Sequence, residues 1–85
     1  MPVMFCYIDP FTMEQAVTKL TPGDAENIFH GNIDEVTTFM AEEYNNDDYD
    51  RIVLNGPLAE TIADQIRTYS LTKYNNKEIE IEVLK

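Results

Sequence analysis

The stretch Arg51–Tyr74, RIVLNGPLAETIADQIRTYSLTKY, has the pattern of a strand, a tight turn and a helix. Its Ile-Val-Leu run at 52–54 is short and apolar, and Asn-Gly-Pro at 55–57 ends it. An apolar run of this length beside turn residues is typical of a buried strand. Pro57 suits the first position of a helix, and the two residues before it are candidate N-caps. We therefore expect the rest of the chain to pack around this strand, turn and helix.

The helix of this unit has one apolar face. Apolar side chains recur at three- and four-residue spacing, while Glu60, Asp64 and Arg67 fall outside that stripe. The stripe consists of Leu58, Ala59, Ile62, Ala63, Ile66 and Tyr69. A strand that leads into a helix N-terminus can also bind anions. This junction has no glycine-rich phosphate motif and places Glu60 in the first turn, so an ordinary strand-to-helix connection is the favoured interpretation.

The segments before this unit alternate between strand and turn patterns. Residues 3–8 are apolar on both faces, which suits a central strand better than an edge strand. Residues 14–20 alternate as an antiparallel partner would, and Thr-Pro-Gly-Asp at 21–24 is a turn sequence. Residues 26–30 are expected to form a third strand. These segments together predict a three-stranded meander.

A further helix and a final strand are expected. Asn32 and Glu35 have the spacing of a capping box, and the apolar residues that follow share one helical face, which predicts a helix over 33–44. The Asn- and Asp-rich run 45–50 should end it, because these residues are poor helix formers and put negative charge at the negative end of the helix dipole. Residues 78–83 alternate strictly, with three glutamates facing away from the core.

The predicted fold class is α/β (α+β), in the order β-β-(β)-α-β-α-β. The 85 residues are expected to form a single small domain with a mixed sheet and two helices. A core of that size is small, so a partner or a second copy would add useful buried area.

The net charge of the chain limits the classes of partner that it is expected to bind. Sixteen acidic and six basic residues leave a net charge of −10. Such a charge opposes binding to nucleic-acid phosphates and to anionic membranes, because both interactions depend on basic side chains. We therefore expect neither direct nucleic-acid binding nor membrane binding. A protein with a basic surface is the favoured partner.

Cysteine usage and hydropathy point to a cytoplasmic protein. Cys6 is the single cysteine and lies within an apolar run, so it has no internal disulfide partner and is expected to be a buried hydrophobe. No Cys/His zinc set exists, and no cofactor is expected. No stretch is long and apolar enough to span a membrane, and the first residues lack the features of a signal peptide.

The order of elements and the stretch Tyr-Ile-Asp-Pro at 7–10 resemble the core of the RNase H-like fold, which many nucleases share. In that superfamily an aspartate that ends the first strand, here Asp9, is a metal ligand, and the Ile-Asp-Pro stretch resembles the resolvase branch. The chain departs from the pattern at Asn55, where an active nuclease would carry another acid, and at Phe11, where a glycine usually follows. Two-metal chemistry needs several carboxylates, and Glu35 is a candidate second one. Turn capping is the favoured role of Asp9.

The acidic segment after the first helix is the candidate binding site. Its members are Glu42, Glu43, Asp47, Asp48, Tyr49 and Asp50. The carboxylates would meet basic side chains, and Tyr49 would act as an aromatic anchor. The segment lacks the glycine of a calcium-binding EF-hand loop. His30 is the only histidine, so no pair forms around a nucleophile, and no catalytic residue or metal ligand is assigned.

Three functional hypotheses follow. The first is a small acidic, non-enzymatic protein-interaction module. The chain also looks like the small accessory proteins of bacteriophages, which implies an inhibitor that places carboxylates where nucleic-acid phosphates would bind on a host protein. The alternative is a divalent-metal-dependent phosphodiesterase, or a degenerate relative of the nuclease fold, that uses Asp9. The third is a homo-oligomer that pairs the strand 78–83, although its exposed glutamates oppose simple edge-to-edge pairing.

Overall fold

The computed structural model describes residues 1–84, in which five strands form one sheet beside two helices. The elements are β1 (Val3–Ile8), β2 (Gln15–Thr21), β3 (Asp24–Gly31), α1 (Ile33–Asn46), β4 (Arg51–Leu54), α2 (Ala59–Tyr74) and β5 (Ile81–Val83). The strand order is β3-β2-β1-β4-β5. β2 is antiparallel to β1 and β3, and β4 is parallel to β1 and β5. The chain is thus a small α+β domain with a mixed sheet, and the predicted order of elements is confirmed.

β1 is the central strand, as its two apolar faces predicted. Its register places Met4 beside Ile52 and Cys6 beside Leu54, so these four side chains point to the same face. All four are buried there in one cluster with apolar residues of both helices. Full burial of a methionine, isoleucine or leucine side chain contributes about 1.5–3 kcal/mol. The core therefore lies between one face of the sheet and the helix pair.

The meander turns where the sequence predicted. Thr21 pairs with Asp24 across the β2–β3 turn, and Gly23 there has φ of 80°, a conformation that glycine adopts without steric cost. β3 is longer than the expected strand 26–30, because its pairing with β2 continues on both sides. A register shift between Val17 and Thr18 marks a bulge in this pair.

α1 begins as predicted and ends later. Asn32 Oδ1 accepts from Glu35 N and Glu35 Oε1 accepts from Asn32 N, which completes the expected capping box. The predicted end at residue 44 is wrong by two residues. Asn45 Nδ2 donates to the Ala41 carbonyl and to Ser70 Oγ of α2, so the polar side chain is satisfied within the helix pair. These contacts offset its poor helix propensity.

The prediction that Pro57 begins α2 is wrong. Asn55 N still donates to the Cys6 carbonyl at 2.9 Å, so the chain stays extended beyond β4. Gly56 then turns with φ of 118°, and Ala59 is the first helical residue. Leu58 is the N-cap and makes no side-chain capping bond. The expected apolar stripe of α2 is buried at Ala59, Ile62, Ala63 and Ile66.

β5 is shorter than the predicted strand 78–83, because β4 offers only four residues for pairing. Its alternation is confirmed. Ile79, Ile81 and Val83 pack against the core, whereas Glu80 and Glu82 are exposed. β5 is an edge strand, so Glu80 and Glu82 lie at an exposed edge of the sheet.

Candidate functional site

The predicted binding residues lie together where α1 ends and the chain crosses to β4. We call Glu42, Glu43, Asp47, Asp48 and Asp50 the acidic loop. α1 supplies the first two of these residues, Asp47 is its C-cap, and the rest precede β4. The structure therefore brings the predicted carboxylates into one region, but their surroundings differ from residue to residue.

Two carboxylates of the acidic loop are held by cations of the same chain. Glu42 Oε1 lies 2.6 Å from Lys73 Nζ, and Glu42 also accepts a hydrogen bond from the Tyr74 hydroxyl. Asp50 Oδ2 lies 2.7 Å from Arg51 Nη1. The bond to Glu42 raises the pKa of Lys73, so the lysine stays charged. The contacts of Glu42 tie α1 to α2, and both ion pairs leave Glu42 and Asp50 less available to a partner.

Tyr49 is part of the core, which leaves little of its ring free to act as the predicted aromatic anchor. Only 6% of the residue is exposed. Its hydroxyl donates to Glu43 Oε2, and the ammonium of Lys19 lies 5.8 Å from the ring centroid. Burial and then the bond to Glu43 raise the pKa of the phenol. Glu43 thus satisfies the hydroxyl of a tyrosine whose ring lies in the core.

Asp47 and Asp48 remain as exposed carboxylates of the acidic loop. Within residues 1–84, neither forms an ion pair with lysine or arginine. They stand at the C-terminal end of α1, whose last turn contains no basic residue. That end of a helix carries about half a negative charge. The two carboxylates therefore add to a negative potential that the fold leaves unbalanced.

Asp9 caps the loop between β1 and β2, the role that the sequence favoured. Its Oδ1 accepts from Phe11 N at 2.8 Å, and its Oδ2 lies 3.3 Å from His30 Nε2. These bonds, first the one from Phe11, lower the pKa of Asp9. In the part of the chain that the structure describes, no group of three or more His, Cys, Asp or Glu side chains is arranged to hold a metal ion.

An apolar surface beside Asp9 was missed by the sequence analysis. Phe11 is 94% exposed and Met13 is 73% exposed, both on the loop after β1. A groove of about 670 Å³ adjoins the loop, and Leu58 lines it on the α2 side. Met13, Leu58, Glu14, Asp34 and Glu35 line this groove, and Phe11 lies outside the lining, on the same loop two residues before Met13. We call these six residues the Phe11 surface. The sequence signal that could have revealed this surface is an aromatic residue, Phe11, between Pro10 and Thr12 in a turn.

Comparison with known proteins yields neither a matching family model nor a significant match among curated proteins. Within residues 1–84, neither helix is both long enough and apolar enough to cross a membrane.

Proposed function

We propose that this protein is a small acidic, non-enzymatic module that binds a basic surface of another protein. One observation carries the proposal: Asp47 and Asp48 lie exposed and without an ion pair at the negative end of α1, among the described residues. Negative charge at that position disfavours the helix by about 0.3–1 kcal/mol per charge. A lysine- or arginine-rich partner would remove this penalty on binding.

The net charge of −10 supports the same proposal at longer range. A field of one sign attracts an oppositely charged partner and accelerates its association. The effect weakens with added salt, since the screening length is about 8 Å at physiological ionic strength. Binding should therefore be fast and sensitive to salt.

The fold element of the proposal is an RNase H-like architecture. Its support is the antiparallel meander followed by helix, strand, helix and strand, together with the aspartate at the end of β1. On a fold of this kind, Asp47 and Asp48 would bind a host protein at the basic surface where that protein otherwise binds nucleic-acid phosphates. The specific form of the proposal is thus a phage-type inhibitor of a nucleic-acid-binding host protein.

The test is affinity capture from a bacterial lysate with the tagged protein and with an Asp47→Asn, Asp48→Asn variant. These substitutions change exposed side chains that make no ion pair with lysine or arginine in residues 1–84, so the fold should be retained. We expect the original to retain a basic protein that high salt releases. The purified partner should then bind the variant at least roughly tenfold more weakly.

The matched control is a Glu78→Gln, Glu80→Gln variant. It also removes two negative charges, from exposed residues just before β5. It should bind the partner nearly as well as the original protein. Equal loss in the two variants would show that only net charge matters. A partner whose binding is insensitive to salt and to both variants would contradict the proposal.

A further inference from the structure

The loop between β1 and β2 exposes apolar area that the fold does not use. Phe11 is almost fully exposed, Met13 is about three-quarters exposed, and Leu58, across the groove from Met13, is 38% exposed. Ile8 and Ile33 extend the apolar lining into the groove. Exposed apolar side chains on and beside one groove, bordered by polar residues, commonly mark an interaction site.

Backbone hydrogen bonds hold the loop in place. Asp9 N donates to the Glu14 carbonyl and Met13 N donates to the Asp9 carbonyl, each at 2.8 Å. The side chain of Asp9 fixes Phe11 N, and that of Thr12 accepts from Glu14 N. Met13 has φ of 62°, which is uncommon for a residue other than glycine. A partner would meet a preorganised loop, so ordering it would cost little on binding.

The charges around the groove select the partner. Glu14, Asp34 and Glu35 line it, and all three carboxylates are exposed. No lysine, arginine or histidine among residues 1–84 lines it. The N-terminal end of α1 offsets about half a charge, which leaves the groove clearly negative. Glu35 is partly engaged by the capping box, so Glu14 and Asp34 are the carboxylates that are freer to bind.

We propose that the Phe11 surface binds a segment of a partner protein that presents an apolar side chain flanked by lysine or arginine. The apolar side chain would contact Phe11, Met13 and Leu58, and the cations would contact Glu14 and Asp34. A second copy of the chain fits poorly, because it would bring a negative groove against another and add a second charge of −10. Phosphates of nucleic acid or lipid are opposed by the same carboxylates.

This inference rests on the proposed function, because it also takes the partner to be basic. It places the contact at the Phe11 surface and not at the acidic loop. α1 has 14 residues and is about 21 Å long, with the Phe11 surface at its N-terminal end and the acidic loop at its C-terminal end. The two contacts can therefore be tested separately, because their residues lie near opposite ends of α1.

The test measures binding of a fluorescent amphipathic peptide of leucine and lysine, with peptides in which serine replaces leucine or glutamate replaces lysine as controls. The proteins are the original, Phe11→Ser, and a Glu14→Gln, Asp34→Asn variant. Leu71→Ser, which changes an exposed leucine in a separate pocket, is the apolar control, and Glu78→Gln, Glu80→Gln is the charge control. Amide chemical shifts of the isotope-labelled protein locate the peptide and confirm that each variant is folded.

We expect the leucine–lysine peptide to shift amides of residues 9–14, 33–35 and 58–61. Phe11→Ser and the Glu14, Asp34 variant should each raise its Kd roughly tenfold or more, and the two control variants should raise it much less. The serine–lysine peptide should bind more weakly than the leucine–lysine peptide.

Two results would overturn the inference and leave the proposed function standing. One is a leucine–lysine peptide that binds at the acidic loop, unaffected by Phe11→Ser. The other is equal affinity for the serine–lysine peptide, which would indicate charge alone. No binding of either lysine peptide would count against both proposals. A dimer in sedimentation that Phe11→Ser abolishes would assign the Phe11 surface to a second copy and overturn the inference as well.

Discussion

The hydroxyl of Tyr49 donates a hydrogen bond to Glu43 Oε2 at 2.8 Å, while the tyrosine ring lies in the core. The pair joins the last turn of α1 to the chain that enters β4. Glu43 is one of the residues predicted to bind a partner, and this contact gives it a structural role in the folded chain. Because of this hydrogen bond, the acidic loop contributes to the folded structure of the domain as well as to its surface.

Replacing Tyr49 should therefore reduce stability. Tyr49→Phe removes only the hydroxyl and should lower the free energy of unfolding by about 1 kcal/mol. Tyr49→Ala also removes the buried ring and should cost about 3–5 kcal/mol. Urea denaturation measures both values, and Leu71→Ala, at a half-exposed position, should change stability little. Equal effects of the two Tyr49 variants would contradict a core role for the ring.

Cys6 should make the protein less stable in alkaline solution. Burial raises the pKa of its thiol from 9.0 to about 12. The unfolded thiol ionises first as the pH passes 9, so the unfolded state then binds fewer protons and the stability falls with rising pH. One pH unit above the ordinary pKa, the loss should be about 1 kcal/mol.

The measurement is the free energy of unfolding of the original protein and of Cys6→Ala between about pH 8 and pH 10. The variant should be less stable at neutral pH, because it leaves a small cavity and removes the donor to Gln15 Oε1. Its stability should decline less steeply over this pH range. Parallel curves for the two proteins would show that the thiol does not carry the effect.

Gly31→Ala should disturb the start of α1. A Cβ at this position would lie 2.9 Å from Glu35 Oε1, 3.0 Å from Glu35 Cβ and 3.1 Å from Cε2 of Phe29. The carboxylate that it meets is the one that accepts from Asn32 N in the capping box. We expect a loss of about 1–3 kcal/mol in chemical denaturation. In a Glu35→Ala background the same substitution should cost less, and full additivity would rule out a clash with the carboxylate.

Divalent metal should not stabilise the protein through Asp9. Its oxygens are engaged by Phe11 N and His30, and no cluster of metal-binding side chains surrounds it within residues 1–84. Saturating Mg²⁺ or Mn²⁺ should leave the Tm of the original protein and of Asp9→Asn unchanged. A rise in Tm that Asp9→Asn abolishes would instead support the metal-dependent phosphodiesterase alternative.

Local patterns predicted most of the secondary structure. The spacing of Asn32 and Glu35 encodes the cap of α1, because both partners lie within one helical turn. The alternation of residues 78–83 assigned the side chains of β5 to the correct faces, although pairing with the short β4 limits the strand itself. The predicted helix boundaries were less accurate at the end of α1 and the start of α2. Asn45, which donates to Ser70, lies inside α1. Asn55 N donates to the Cys6 carbonyl, and α2 begins after Pro57.

The candidate site was predicted less well, because availability depends on contacts between distant segments. Glu42 and Lys73 are 31 positions apart, and only the packing of α1 on α2 brings them together. The burial of Tyr49 separates Glu43, which accepts its hydroxyl, from the neighbouring Asp47 and Asp48, which remain exposed. Sequence alone assigned these acids a common role.

The sequence by itself determined the order of the elements, the turns between them, the apolar faces and the net charge, because periodicity, capping and composition act within a few residues or over the whole chain. Only the tertiary structure decided that Tyr49 is buried, that Phe11 is exposed and that some carboxylates are neutralised while others are not. Those outcomes depend on strand register and helix packing, which join residues far apart in the chain.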